Sequence, residues 1–306
     1  MRRPDPADGM LVAANVIWSL NYATTKYAFE RWSPIAFSGL RFATAGIALA
    51  LLVKLREGGL GVERRDVRLI VLCGIVGIFL NQLTFTYAVD YTAAANVALI
   101  LASAPAFAAV FAVMLGHERV RSAHWMALLV SLVGVALVVV GGSDLAGFSL
   151  RGDLLAVGAA LTWAAYTVML RPLFGRYSAG RISALVILVG AVVMSPVTAV
   201  QVANQDFGSL TRLDWGAWIY STIGPLLVTN WLYFRSLHRV GAARATLYMY
   251  LQPFLGAVFA AWLLGEKLVA VQLIGGAVIV GGVALGRTVA GRRAPVDEVE
   301  LPGEAI

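Results

Sequence analysis

The sequence predicts an all-α integral membrane protein whose ten transmembrane helices form two inverted five-helix repeats. Three observations lead there. The chain has 306 residues, 59% hydrophobic and only 13% charged, where a soluble domain carries about 25% charge. The segment PAFAAVFAVMLGHE at 105–118 returns as PFLGAVFAAWLLGE at 253–266, each opening on Pro and closing on Glu. Each half holds five apolar runs, an odd number, so the second half enters the bilayer from the opposite side.

The runs are long enough to span, since a crossing helix needs about 20 apolar residues. In order they cover 10–29, 34–55, 67–87, 93–115, 124–140, 152–171, 182–202, 215–234, 243–264 and 269–287. The clear breaks are EGGLGVERRD, GGSDLAGFSLRGD and ANQDFGSLTRLD, which combine Gly or polar residues with charge. The first repeat is expected over 10–141 and the second over 152–287, after a short N-terminus at 1–9. The tail from 288 to 306 is polar and contains proline, the composition of a disordered segment. MRRPDPADGM leads straight into the first run without a cleavage pattern, so that run is expected to act as its own uncleaved targeting signal. The single Cys73 cannot form an intrachain disulfide and reads as a packed thiol.

Charge orients the ten spans. Of the 24 Lys and Arg, 18 fall on the side of the termini, five on the other, and Arg41 lies inside span 2. Basic loops stay in the cytoplasm, so both termini are expected there, in a bacterial inner (plasma) membrane. The net charge of +7 then faces anionic lipid headgroups rather than nucleic acid.

The repeat extends beyond the opening pair of segments. Positions 105–137 and 253–285 share 12 identities in 33 without a gap, including AVFA and GVAL. At a shift of 145, Trp18 pairs with Trp163, Phe29 with Phe174, Arg31 with Arg176 and Ser33 with Ser178, and Asn81 answers Asn230 at 149. With Pro34 followed by Arg41 in span 2 and the two P-x12-E segments, the chain resembles the drug/metabolite transporter superfamily, in its ten-helix EamA branch, over about 10–287. Its aromatic-rich centre is most similar to YddG-type exporters of aromatic amino acids. The resemblance implies export of small metabolites from the cytoplasm. The four-helix branch of the superfamily uses a membrane-embedded Glu in its first helix, and residues 10–29 here contain no acid.

Candidate site residues follow from depth and helical phase. Trp18 lies about 12 Å into span 1 and Trp163 about 16 Å into span 6 from the other side, so both reach the midplane, where a Trp N–H needs an acceptor. Trp18 shares a face with Tyr22, and Trp163 with Tyr166. The amides Asn81 and Asn230, with Ser103 on span 4 and Tyr248 on span 9, complete the expected substrate-binding set; the amides serve equally well to join helices. Pro105 and Pro253 each remove a helical hydrogen bond and read as hinges or as static kinks. Glu118 and Glu266 close spans 4 and 9 beside Arg119 and Lys267, and read as structural charges that fix helix ends. Arg41 either snorkels to the interface or holds a substrate carboxylate; the structural role is preferred because the other half has no counterpart.

No GxSxG, HExxH or Gly-rich phosphate loop occurs, and His117, His124 and His238 fall in or near loops without a third ligand. The expectation is a transporter and not an enzyme, with no cofactor or metal, partnered by a small-molecule substrate and the bilayer. Few cations lie inside the spans, so a neutral or zwitterionic cargo, amino acids foremost, fits better than the alternative of a nucleotide-sugar or sugar-phosphate exchanger. A receptor or intramembrane enzyme is the remaining class. The glycines of spans 5 and 10 are expected to pack those spans together outside the cavity or at a homodimer contact.

Overall fold

The computed structural model describes residues 6–115, 122–142, 149–229, 231–233, 235–236, 248–249 and 251–290. Glu118, Asn230 and the tail beyond 290 lie outside them. The described secondary structure is helical throughout. Helix α1 spans Pro6–Ala28 and α2 Pro34–Glu57. Helix α3 runs over Arg64–Tyr91, and α4 over Ala94–Met114 with a break at 102–103. Helix α5 is Ser122–Gly142, α6 Leu150–Phe174 and α7 Ala179–Ala203. Helix α8 starts at Arg212–Ile223 and continues through a π-helical turn at Gly224–Val228. Helices α9 and α10 are Leu251–Leu264 and Ala270–Ala290. Five of these, α2, α3, α4, α6 and α7, are long and apolar enough to cross a membrane, and shorter apolar stretches cover 132–141, 251–264 and 270–282.

Helix α1 is already helical at Pro6, the first described residue, four residues before the expected limit. The added turn carries Asp8. The acid-free character of the first span therefore holds for 10–29 and not for the whole helix. Helices α2 and α8 start on proper signals: Pro34 at the start of α2, and a capping box between Thr211 and Asp214 for α8.

Packing is dominated by pairs of helices, and the pairs repeat. Helix α1 packs on α8 and α9, while α6 packs on α3 and α4; α2 packs on α7, and α5 on α10. Exchanging each helix for the one five places away maps this list onto itself. The α2–α7 pair is antiparallel: Ser33, before α2, bonds Gln201 and Gln205 at the end of α7, while Glu57, ending α2, accepts from Ser178 and Arg181 at the start of α7. The α5–α10 pair is antiparallel too, with Gly134 against Ile279 and Gly141 against Gln272.

Lipid is as apolar as a leucine side chain, so helices associate in it by close packing and not by the hydrophobic effect. Glycine supplies the closeness. A Cβ built on Gly39 would lie 2.0 Å from Thr198 Oγ1, one on Gly190 2.3 Å from Ile78 Cβ, and one on Gly134 2.7 Å from the Gly275 carbonyl. Large side chains such as Ile47, Leu51, Leu129 and Val192 stay exposed on the outside, as a lipid-facing surface requires.

Both π-helical turns fall at one place in the repeat. Ile75–Leu80 in α3 and Gly224–Val228 in α8 are 149 residues apart at their first positions, the separation of Asn81 and Asn230. A π-turn widens the helix and turns carbonyls outward, which matters below.

The glycine contacts make a stability prediction. Gly39→Val forces a branched side chain into Thr198 and should cost about 1–3 kcal/mol by overpacking, lowering the thermal midpoint of the detergent-purified protein. Gly216→Ala, where an added Cβ meets nothing within 4 Å, should leave the midpoint unchanged or raise it. Equal midpoints for Gly39→Val and the parent would contradict the packing described.

Candidate functional site

The predicted residues separate into distinct settings. Trp18 is half-buried and donates its indole N–H to the Pro225 carbonyl at 3.1 Å, inside the π-turn of α8. Its ring meets Tyr233 at 5.6 Å. Tyr220 returns the contact, donating from its hydroxyl to the Ile17 carbonyl at 2.8 Å. An unbonded indole N–H in an apolar medium is costly, and the widened turn supplies its acceptor. Tyr22 is buried in the core against Phe85, at 5.9 Å, with Gly256 beside it.

On the related side, Trp163 is 39% exposed and touches Tyr166 at 5.5 Å. Tyr166 itself is buried and lies directly over Gly77 of the α3 π-turn, where any Cβ would be 2.1 Å from its ring. Asn81 is buried and donates to the Ala159 carbonyl at 2.8 Å and to Thr162 Oγ1 at 3.1 Å, so its amide joins α3 to α6. Gln82 donates to Asn81 Oδ1 at 3.3 Å. Ser103 is buried, bonded to the Ile100 carbonyl at 2.7 Å, and sits at the break of α4. Pro105 occupies the first turn after that break, and Pro253 is buried within α9. Tyr248 is half-buried ahead of α9.

Glu266 reaches back from the end of α9 to the start of α4. Its two oxygens accept from the backbone N–H of Ala94 at 2.8 Å and of Ala95 at 3.0 Å. Helix starts leave such N–H groups unpaired, and a carboxylate there also meets the positive end of the helix dipole. Gly265, at φ +66°, makes the turn that aims it. Lys26 does the complementary work at the end of α3, donating to the carbonyls of Val89, Asp90 and Thr92 at 2.7–2.9 Å.

Two further polar constellations lie outside the predicted substrate-binding set. Asp153, 1% exposed in the first turn of α6, accepts from Thr92 at 2.8 Å and from Asn96 at 3.3 Å, and Gln272 of α10 donates to Asn96 at 2.6 Å. The signal was a single carboxylate at the very start of span 6. The other links α1 to α9, where Gln252 donates to Asn15 Oδ1 at 2.9 Å and Ser19 to the Gln252 carbonyl at 3.3 Å. At the related α6–α4 interface the matching positions are Ala160, Ala164 and Ala104, buried with Phe107 in one apolar cluster.

The loops carry a matched pair of ion pairs. Arg31 meets Asp214 at 3.4 Å, and Arg176 meets Asp66 at 2.6 Å, with the Tyr177 hydroxyl donating to Asp66 at 2.7 Å. Arg31 and Arg176 are 145 residues apart, Asp66 and Asp214 148 apart, so one repeat-related contact is made twice, at the two ends of the α2–α7 pair. A shallow pocket of about 680 Å³ lies elsewhere, lined by Tyr87, Tyr91, Leu150, Arg151, Leu154 and Leu155, and none of the predicted site residues contributes to it.

A two-repeat helical membrane fold with polar groups paired across its centre has a family counterpart. The EamA-like transporter model matches residues 6–140 and again 150–287. The chain belongs to the EamA-like transporter family. Within the drug/metabolite transporter superfamily it is similar to YetK, an uncharacterised transporter of Bacillus subtilis (strain 168), at 25% identity over 89% of this chain and 84% of YetK. It is also similar to a probable terminal-alkyne amino-acid exporter of Streptantibioticus cattleyicolor, at 27% identity over 96% of each chain. A solved crystal structure shares the fold at TM-score 0.64 and 22% identity, covering 94% of this chain and 98% of its own. Family and relatives are those of a transporter rather than an enzyme.

Removing the Glu266 carboxylate tests its place in the EamA fold. Glu266→Ala takes two charge-assisted bonds from the start of α4 and should cost about 0.5–2 kcal/mol, the range for a lost helix cap. The measurement is the thermal midpoint in detergent, with Glu266→Gln expected in between. A Glu266→Ala protein as stable as the parent would count against the cap.

Proposed function

We propose that this protein is a secondary transporter that exports small neutral or zwitterionic metabolites, amino acids including aromatic ones, from the cytoplasm across a bacterial plasma membrane by alternating access. One observation carries the reading: helices equivalent in the two repeats run antiparallel, α2 against α7 and α5 against α10. Under this reading α1–α10 are ten spans, both termini are cytoplasmic, and the halves are inverted copies. Two inverted copies in different conformations open a shared site to one side, and exchanging the conformations opens it to the other. The amino-acid exporter among the relatives and the small number of cations inside the helices support the cargo class.

In this reading Trp18 and Trp163 face a central cavity from the two repeats. Trp18 is held by Pro225. Trp163, the more exposed of the two, is the ring free to cover a substrate side chain. Asn81 lies toward one end of the cavity, where its bonds to Ala159 and Thr162 hold α6 against α3. The breaks beside Pro105 and the buried Pro253 lie where α4 and α9 would flex.

Counterflow in proteoliposomes across a panel of amino acids tests the cargo. Trp163→Ala should lower the rate about two- to tenfold at equal protein, matching the loss of an aromatic contact worth about 0.5–1.5 kcal/mol beyond its area, while Leu137→Ala on α5 changes it little. Parent-like rates for Trp163→Ala over the whole panel would remove Trp163 from the site. The orientation is checked by a single cysteine at Glu63 in a Cys73→Ala background: an impermeant thiol reagent should leave it unlabelled in intact cells and label it after lysis. Labelling in intact cells would reverse the topology.

A further inference from the structure

Arg41 is the most deeply buried cation among the described residues, at 3% exposure. It has no carboxylate within salt-bridge range there, and its Nε–H has no hydrogen-bond partner. Its guanidinium sits beside two rings of its own helix, 5.9 Å from the Phe37 centroid and 5.1 Å from Phe42. Aromatic faces hold a cation in place but leave its in-plane donors open, and those donors match a carboxylate. A bare guanidinium inside a membrane fold is expensive unless something anionic or strongly polar meets it.

Arg41 is not the only unpaired group in this part of the fold. On α1, Asn21 Oδ1 and Thr25 Oγ1 are buried without partners; on α3, Gln82 Oε1; on α8, Trp218 Nε1 and Ser221 Oγ. These four helices, α1, α2, α3 and α8, pack on one another. Four contacts fix their register. Ser38 of α2 bonds Thr86 of α3 at 2.8 Å, so Arg41 and Gln82, each about one turn inward on antiparallel helices, come to one level. Tyr22 of α1 meets Phe85 of α3, which sets Asn21, the preceding residue, at about the same level. Tyr220 of α8 bonds the Ile17 carbonyl of α1, and Trp218 packs in the cluster that contains Phe37. These groups thus fall within about two helical turns along the bundle, and the other unpaired oxygen of α8, Asp214 Oδ1, lies outside that span beside Arg31.

Their chemistry is complementary. Arg41, Trp218 and Ser221 offer donors, and Asn21 and Gln82 offer carbonyl oxygens. We propose that this cluster binds the head group of a zwitterionic substrate, with the carboxylate on Arg41 and the ammonium on the Asn21 and Gln82 oxygens. The proposal rests on the amino-acid reading above and deepens it: the aromatic pair takes the side chain, and the Arg41 cluster selects for an α-amino acid. A single guanidinium with neutral neighbours suits a monoanionic carboxylate, whereas a phosphate dianion would want further cations.

The test is tryptophan-fluorescence titration of the purified full-length protein, with L-phenylalanine, L-phenylalaninol (no carboxylate) and 3-phenylpropionate (no ammonium). The parent should bind L-phenylalanine at least tenfold tighter than either analogue. Arg41→Gln should bind phenylalanine and phenylalaninol alike, and Gln82→Leu should lose affinity for phenylalanine but not for 3-phenylpropionate. The parent alone decides the matter if Arg41→Gln does not fold, because a parent that fails to prefer phenylalanine to phenylalaninol overturns the proposal. So does an Arg41→Gln protein that keeps the parental preference, or tighter binding of glucose 6-phosphate than of any carboxylate. Counterflow run in parallel separates the two readings. Amino-acid counterflow with an Arg41-independent preference sinks the head-group site alone. No amino-acid counterflow, with Arg41-dependent binding of 3-phenylpropionate, sinks the amino-acid cargo and leaves a carboxylate site.

Discussion

A polar group inside a bilayer has no water to fall back on, so it must find its partner within the protein. Much of the geometry described above answers that requirement. The start of α4 is completed by Glu266 and the end of α3 by Lys26. The indole of Trp18 takes a carbonyl from the π-turn of α8. Asp153 is enclosed by Thr92 and Asn96. Each of these bonds joins different helices, so satisfying the polar groups also fixes how the helices sit. Glycine contacts such as Gly39 on Thr198 and Gly134 on Ile279 then bring the backbones close enough for dispersion to hold them.

The repeat gives the same structural problem two solutions, and they differ where it matters. At the α1–α9 contact, Asn15, Ser19 and Gln252 bond across the interface. At the related α6–α4 contact, Ala160, Ala164 and Ala104 pack without a polar atom between their side chains. Parting the first surface means exchanging hydrogen bonds; parting the second means exposing methyl groups. By contrast the loop contacts are kept in both copies, Arg31 with Asp214 and Arg176 with Asp66. The ends of the α2–α7 pair are therefore held alike, and the chemical difference lies between the inner helices.

Several features were legible in the residues because they depend on pattern. The apolar runs, the 148-residue repeat and the pairing of Arg31 with Arg176 need no coordinates. Other features have no local signature. The π-turns at Ile75–Leu80 and Gly224–Val228 look like ordinary apolar helix in sequence. Asn81 reads the same whether it joins helices or faces a substrate, and only its bonds to Ala159 and Thr162 show the joining.

By itself the sequence determined the membrane class, the duplication and, where the described residues reach them, most helix limits to within a few residues, because hydrophobicity and periodicity are properties of consecutive residues. The tertiary structure decided which polar groups meet. Arg41 has no counterpart in the other half and no acid nearby in sequence, so counting could place it in span 2 but could not say what surrounds it. The unpaired groups proposed to act with it come from α1, α3 and α8, up to 180 residues away in the chain. Which of their polar atoms remain unpaired depends on register and helix rotation. Those are set by side-chain packing among four helices, and no single stretch of residues encodes them.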